Sequence, residues 1–157
     1  MKVIITISES ALPIARTIQR EWLDAEVVRM SDKTFLTEHW KELECVVFVG
    51  AMGICVRTIA PLLNDKYTDP AVVCVDSTGK YVIPVVSGHI GGANDYSKRI
   101  AAILGGEAII TTQSDNLGLW AIDTLAQKYG WQTEVDHTRM NLFIYQFVEK
   151  KPIALLL

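Results

Sequence analysis

Apolar residues in this chain fall into short unbroken runs, separated by stretches that repeat at helical spacing. A run of four to six apolar residues marks a strand covered on both faces. Such runs predict strands near 3–7, 45–49, 72–75, 82–86 and 108–111 in one sheet, with a shorter strand near 26–29. Between them, Ser8 can cap a helix running to about Asp24, with Ile14, Ile18 and Leu23 on its inner face. A second helix is expected over Ile54–Ala60, ended by Pro61, which disfavours helical geometry at Ala60. Ala93, Tyr96, Ile100, Ile103 and Leu104 recur at three- and four-residue steps and stop at Gly105. A further helix should follow Asp115 and run to about Tyr129, closed by Gly130. Asp76-Ser77-Thr78-Gly79-Lys80 reads as a hairpin turn.

Strands alternating with helices imply an α/β fold: a three-layer sandwich around a mostly parallel sheet, Rossmann-like, with helices on both faces. Three stretches are less regular. Ser31–Leu43 is polar and weakly helical, Asn141–Val148 has no decided type, and Pro152–Leu157 looks like a strand. The expected organisation is an N-terminal α/β domain over 1–130, then a linker and the start of a truncated middle region over 131–157. A further domain is expected beyond it.

Composition narrows the class. With 157 residues, 50% hydrophobic and 21% charged, the chain can bury a full core. A net charge of −3 without a basic stripe argues against nucleic acid as a partner. Met1–Ile7 is too short for a signal peptide, and the longest apolar run, Cys45–Val56, falls short of the ~18 residues of a membrane span. The three cysteines, Cys45, Cys55 and Cys74, lack metal-ligand spacing and suit a reducing cytoplasm. No metal and no cofactor are expected.

In open α/β sheets, ligands bind beyond the carboxyl ends of the strands. Ser8-Glu9-Ser10, Gly50-Ala51-Met52-Gly53, Ser87-Gly88-His89 with Gly91-Gly92, and Thr111-Thr112-Gln113-Ser114-Asp115 each follow a predicted strand. Those around Gly50, His89 and Thr111 are expected to line one cleft for a polar, anionic ligand, the hairpin making the place of the His89 segment less secure than the others. In the third, glycines would let backbone N–H groups approach the ligand where a helix begins; the same turn could serve tight packing alone. No dinucleotide fingerprint or phosphate loop is present. His89 lies among the glycines, and its imidazole suits general acid–base work or a loop hydrogen bond. Asp95 or Asp115 could orient it, while Arg57 and Arg99 could pair with carboxylates or be solvated helix residues. His39 and His137 sit in polar segments.

Several of these stretches together carry a resemblance. Gly50-Ala51-Met52-Gly53-Ile54 with Val56-Arg57 and Ile59-Ala60-Pro61, then Thr68-Asp69-Pro70-Ala71-Val72, resembles the cobalamin-biosynthesis CbiG family. Ser87-Gly88-His89-Ile90-Gly91-Gly92-Ala93-Asn94 and Thr111-Thr112 with Asp115 follow in that family's order and spacing. The likeness spans about Val46 to Gly130; Thr111-Thr112-Gln113-Ser114-Asp115 departs mildly from the family's Thr-Thr-x-Thr-Asp. The resemblance implies a hydrolase acting on a carbon–carbon bond. Such enzymes open the δ-lactone of cobalt-precorrin-5A and release acetaldehyde, giving cobalt-precorrin-5B in the oxygen-independent route to vitamin B12. It also implies a cobalt-containing tetrapyrrole as small-molecule partner and a C-terminal domain, in some members fused to a methyltransferase. On this reading His89 and Asp115 are catalytic. Gly50, Gly53, Arg57, Ser87, Gly88, Gly91, Gly92, Asn94, Thr111 and Thr112 bind substrate, and the Gly91 and Gly92 amides hold an oxyanion. A non-catalytic tetrapyrrole-binding module and a nucleotide- or sugar-phosphate-binding domain are the alternatives.

Overall fold

Every side chain of strand β3 (Cys45–Val49) is buried, as an unbroken apolar run at the centre of a sheet requires. Around it the computed structural model, which describes residues 1–31 and 34–154, places β1 (Lys2–Thr6), β2 (Ala25–Arg29), β4 (Ala71–Val75), β5 (Tyr81–Val86) and β6 (Glu107–Ala108). The six strands form one sheet in the order β2-β1-β3-β4-β5-β6. All pairs are parallel except β4–β5, which the Asp76–Lys80 turn joins as an antiparallel hairpin. The mostly parallel α/β sheet expected from the sequence is the one found.

Helices cover both faces. On one, α1 (Leu12–Glu21) and α4 (Ala93–Leu104) pack Ala15, Ile18, Ile100 and Ala101 against Ile4, Val47, Val73 and Val82. On the other, α2 (Thr34–His39) and α3 (Met52–Ile59) set Leu36, Cys55 and Ile59 against Val3, Ile5, Val46, Phe48 and Val72. Successive strand residues alternate between the two cores, the period-2 geometry of a strand buried twice.

Three local expectations are corrected. The first helix begins at Leu12, because Glu9–Ala11 form a 3-10 turn and Pro13 suits a first helical turn. It ends at Glu21, so Leu23 is 89% exposed instead of facing the core. The long helix expected up to Tyr129 is broken by Gly118, at φ +65°, into α5 (Gln113–Asn116) and α6 (Leu125–Tyr129). The undecided stretches 31–43 and 141–148 contain α2 and most of α7 (His137–Val148), the latter capped by Asp136 accepting from the Arg139 amide at 2.9 Å. In the strand expected at 152–157, Pro152–Ala154 are non-strand, and residues 155–157 lie outside the described residues.

The chain divides into two compact units, Met1–Ile110 and Thr111–Leu157. Among the described residues no helix is long and apolar enough to cross a membrane.

Candidate functional site

The hairpin decides where the motifs lie. Because β5 runs against β4, Val82 pairs with Val75 while Val86 pairs with Val72, near the start of β4. Gly50 leaves the other end of the sheet, its amide donating to the Val75 carbonyl at 2.8 Å. A five-residue strand separates the two ends by ~16 Å. Gly50 and His89 therefore occupy opposite ends of the sheet, and the expectation of one shared edge is overturned by the reversal of β5.

The candidate residues accordingly fall into three groups. Gly50, Gly53 and Arg57 lie at the crevice between β1 and β3, where the strand order reverses. There the Arg57 guanidinium folds back to within 3.5 Å of where a Gly53 β-carbon would stand. Ser87, Gly88, His89, Gly91, Gly92 and Asn94 form the turn between β5 and α4. Thr111, Thr112 and Asp115 belong to the second unit, where the Thr112 hydroxyl donates to Asp115 Oδ2 at 2.7 Å.

The β5–α4 turn is closed on itself. The Gly92 amide donates to the His89 carbonyl at 3.0 Å, the Ala93 amide to Ser87 at 3.1 Å, and the Asn94 amide to Gly88 at 3.0 Å. These amides at the start of α4 satisfy the loop's own carbonyls, so Gly92 cannot also serve as the expected oxyanion donor. The glycines also answer to packing. A β-carbon at Gly88 would come within 2.9 Å of the Asn94 side-chain oxygen, and one at Gly91 within 2.6 Å of Ser87 Cβ. Gly92, at φ +82°, is the left-handed residue from which α4 starts.

Ser87 is the unusual residue of the turn. It is buried and held at φ +56°, a left-handed conformation that costs a non-glycine residue roughly 1–3 kcal/mol and persists where surrounding structure enforces it. Its hydroxyl donates to the Asp69 carbonyl at 3.0 Å. That bond commits the hydroxyl proton to an internal partner.

Asp69 was not singled out by sequence reasoning, although Thr68-Asp69-Pro70 carried part of the resemblance. Its carboxylate is buried and accepts from the Asn64 amide at 3.0 and 2.9 Å and from Trp40 Nε1 at 3.2 Å. Asp65 orders the same loop by accepting from the Tyr67 amide at 2.7 Å and the Thr68 amide at 3.1 Å, the local bonding that favours Asp in turns. On the α4 side, Tyr96 bonds to Glu44 and meets Trp22 edge-on with centroids 5.2 Å apart. Burial and the Glu44 carboxylate push the Tyr96 phenol above its ordinary value, so it stays a neutral donor. Among the described residues no group of three or more His, Cys, Asp or Glu could hold a metal ion.

Comparison with known proteins gives these loops a family. Residues 34–115, more than half the chain, match the family model described as Cobalamin synthesis G N-terminal. The chain belongs to the CbiG family. Residues 120–157 match a second model, described as Cobalamin biosynthesis central region. The cobalt-precorrin-5A hydrolase of Salmonella typhimurium is 51% identical over 81 residues, covering 52% of this chain and 23% of that protein. The cobalt-precorrin-5A hydrolase of Priestia megaterium is 33% identical over 149 residues, covering 83% of this chain and 40% of that protein. A crystal structure of a provisionally assigned cobalamin biosynthesis protein G homolog from Sulfolobus solfataricus superposes with a TM-score of 0.64 at 27% identity. It covers 99% of this chain and 50% of that one. This CbiG-family chain thus spans less than half the length of both curated relatives.

Proposed function

We propose that this chain takes part in cobalt-precorrin-5A hydrolysis in the cytoplasm, with the reacting groups at the Ser87–Asn94 turn. The reaction class rests on one observation above the others, the 51% identity to a cobalt-precorrin-5A hydrolase over 81 residues. The turn lies inside the N-terminal family match, and its strained residue, Ser87 at φ +56°, immediately precedes Gly88-His89. Strain of this kind collects at functional sites.

Lactone opening needs an activated water and a stabilised oxyanion. The imidazole of His89 takes a proton from water as the water oxygen bonds to the lactone carbonyl carbon. The carbonyl oxygen gathers negative charge and accepts from the Gly91 N–H. The tetrahedral carbon then expels the ring oxygen, which leaves with a proton as a secondary alcohol. In the second step a base removes that alcohol's proton; the C–O bond becomes C=O, the neighbouring carbon–carbon bond breaks, and acetaldehyde departs while its bonding pair stays on the macrocycle. Cobalt is part of the substrate. The Gly50, Gly53 and Arg57 group is left out, because it lies at the other end of the sheet from His89.

The test is to incubate cobalt-precorrin-5A with this chain, and with a full-length relative in which this chain replaces the matching segment, and to assay acetaldehyde. The full-length hybrid is expected to release it. An intact, folded hybrid that releases none, beside a parent relative that does, would overturn the proposal.

A further inference from the structure

We propose that Ser87 is a positioning residue for His89, fixing through its hydroxyl the direction in which the chain leaves β5. This goes beyond the reading of the turn as the reacting loop and rests on it. Ser87 is clamped by three contacts. Its hydroxyl donates to the Asp69 carbonyl at 3.0 Å, its own carbonyl accepts from the Ala93 amide at 3.1 Å, and its β-carbon faces Gly91 where no further carbon would fit. The anchor is itself immobilised, because the Asp69 carboxylate is buried and held by Trp40 and Asn64. His89 follows two residues later, and its carbonyl accepts from the Gly92 amide at 3.0 Å. The backbone carrying the imidazole is thereby tied on both sides, by Ser87 before it and Gly92 after it. A left-handed serine is unfavourable on its own, so the hydroxyl bond to Asp69 is what compensates for the conformation. The hydroxyl that looked like a substrate ligand acts instead on the placement of the proposed base.

Ser87→Gly isolates this role. Glycine adopts φ +56° without strain, so the variant removes the anchor while relieving the backbone. In the full-length hybrid, its melting temperature should stay near that of the parent. In this chain by itself, the imidazole resonances of His39, His89 and His137, assigned with the help of His89→Gln, supply a readout independent of turnover. The His89 signal should shift or split while the other two stay in place. The rate of acetaldehyde release should fall by up to roughly 100-fold with KM little changed, the cost of a misplaced reacting group. Ser87→Ala, which keeps the strain and lacks the anchor, should lose both rate and melting temperature. An unmoved His89 signal in Ser87→Gly, or a full rate despite a moved signal, would overturn the proposal. Full activity in His89→Gln would instead overturn the assignment of the base, while the His89 resonance would still report whether Ser87 places it.

Discussion

Gly91 lies against Ser87 so closely that a β-carbon on Gly91 would stand 2.6 Å from Ser87 Cβ, 3.0 Å from the Ser87 carbonyl oxygen and 3.2 Å from the Ala71 amide nitrogen. Two of these three atoms are backbone, so the neighbours cannot move aside cheaply. Gly91→Ala should therefore destabilise the chain by roughly 1–3 kcal/mol, the usual cost of overpacking a tight site. Thermal unfolding checks this, and an unchanged melting temperature would show that the turn can open around the added methyl.

Gly92 is constrained differently. Its added β-carbon would make only ordinary contact with the Tyr96 ring at 3.6 Å, but its φ of +82° penalises any L side chain. Gly92→Ala should cost about 1–2 kcal/mol, and Gly92→Val more, because a β-branched residue tolerates that region worst. Urea unfolding of both variants measures the difference; equal midpoints for the parent and Gly92→Val would contradict the left-handed assignment.

The sheet was largely legible from local patterns. Cys45–Val49 and Ala71–Val75 are buried at every position, and such strands advertise themselves as unbroken apolar runs. The hairpin at Asp76–Lys80 was legible too. It makes the place of the Ser87 motif at the carboxyl edge the least secure of the four, and the reversed β5 carries that motif to the far end. Asp69 was hidden for a different reason. An Asp-Pro pair in a polar loop reads as an ordinary turn, whereas its burial comes from Trp40, 29 residues earlier, and its carbonyl serves Ser87, 18 residues later. Glycines said that the chain passes close to something; only the coordinates say that Gly88 and Gly91 approach Asn94 and Ser87.

Removing the Asp69 carboxylate leaves the buried Trp40 indole N–H without its acceptor, whereas the amide of exposed Asn64 can turn to water. A buried unsatisfied donor costs about 1–3 kcal/mol, so Asp69→Ala should lower stability by about 1–3 kcal/mol. Denaturant titration with tryptophan fluorescence reads both the stability and the Trp40 environment. A loss within about 0.5 kcal/mol, the range of surface substitutions, would contradict the anchoring role.

Asp76 supplies an acid-dependent contribution at the hairpin. Burial raises its pKa, but bonds from the Thr78 hydroxyl and from the Thr78 and Tyr81 amides outweigh it and hold the carboxyl below its ordinary value of 3.8. A carboxyl depressed in the folded state stabilises it above the unfolded pKa, and that contribution is lost as pH falls through the folded value. Below about pH 4, the parent should therefore lose stability more steeply than Asp76→Asn. Urea midpoints of the two proteins at neutral and acidic pH test this, and parallel losses would remove Asp76 from the acid response.

The central claim is that His89 takes the proton that drives lactone opening. Glutamine keeps the approximate size and hydrogen bonding of histidine but accepts no proton near neutral pH. The decisive measurement is acetaldehyde release from cobalt-precorrin-5A by the full-length hybrid carrying His89→Gln, at matched folded concentration. A fall of about 100- to 10,000-fold with little change in melting temperature is the predicted result, the range for loss of a general base. A variant that turns over at the parent's rate would contradict it.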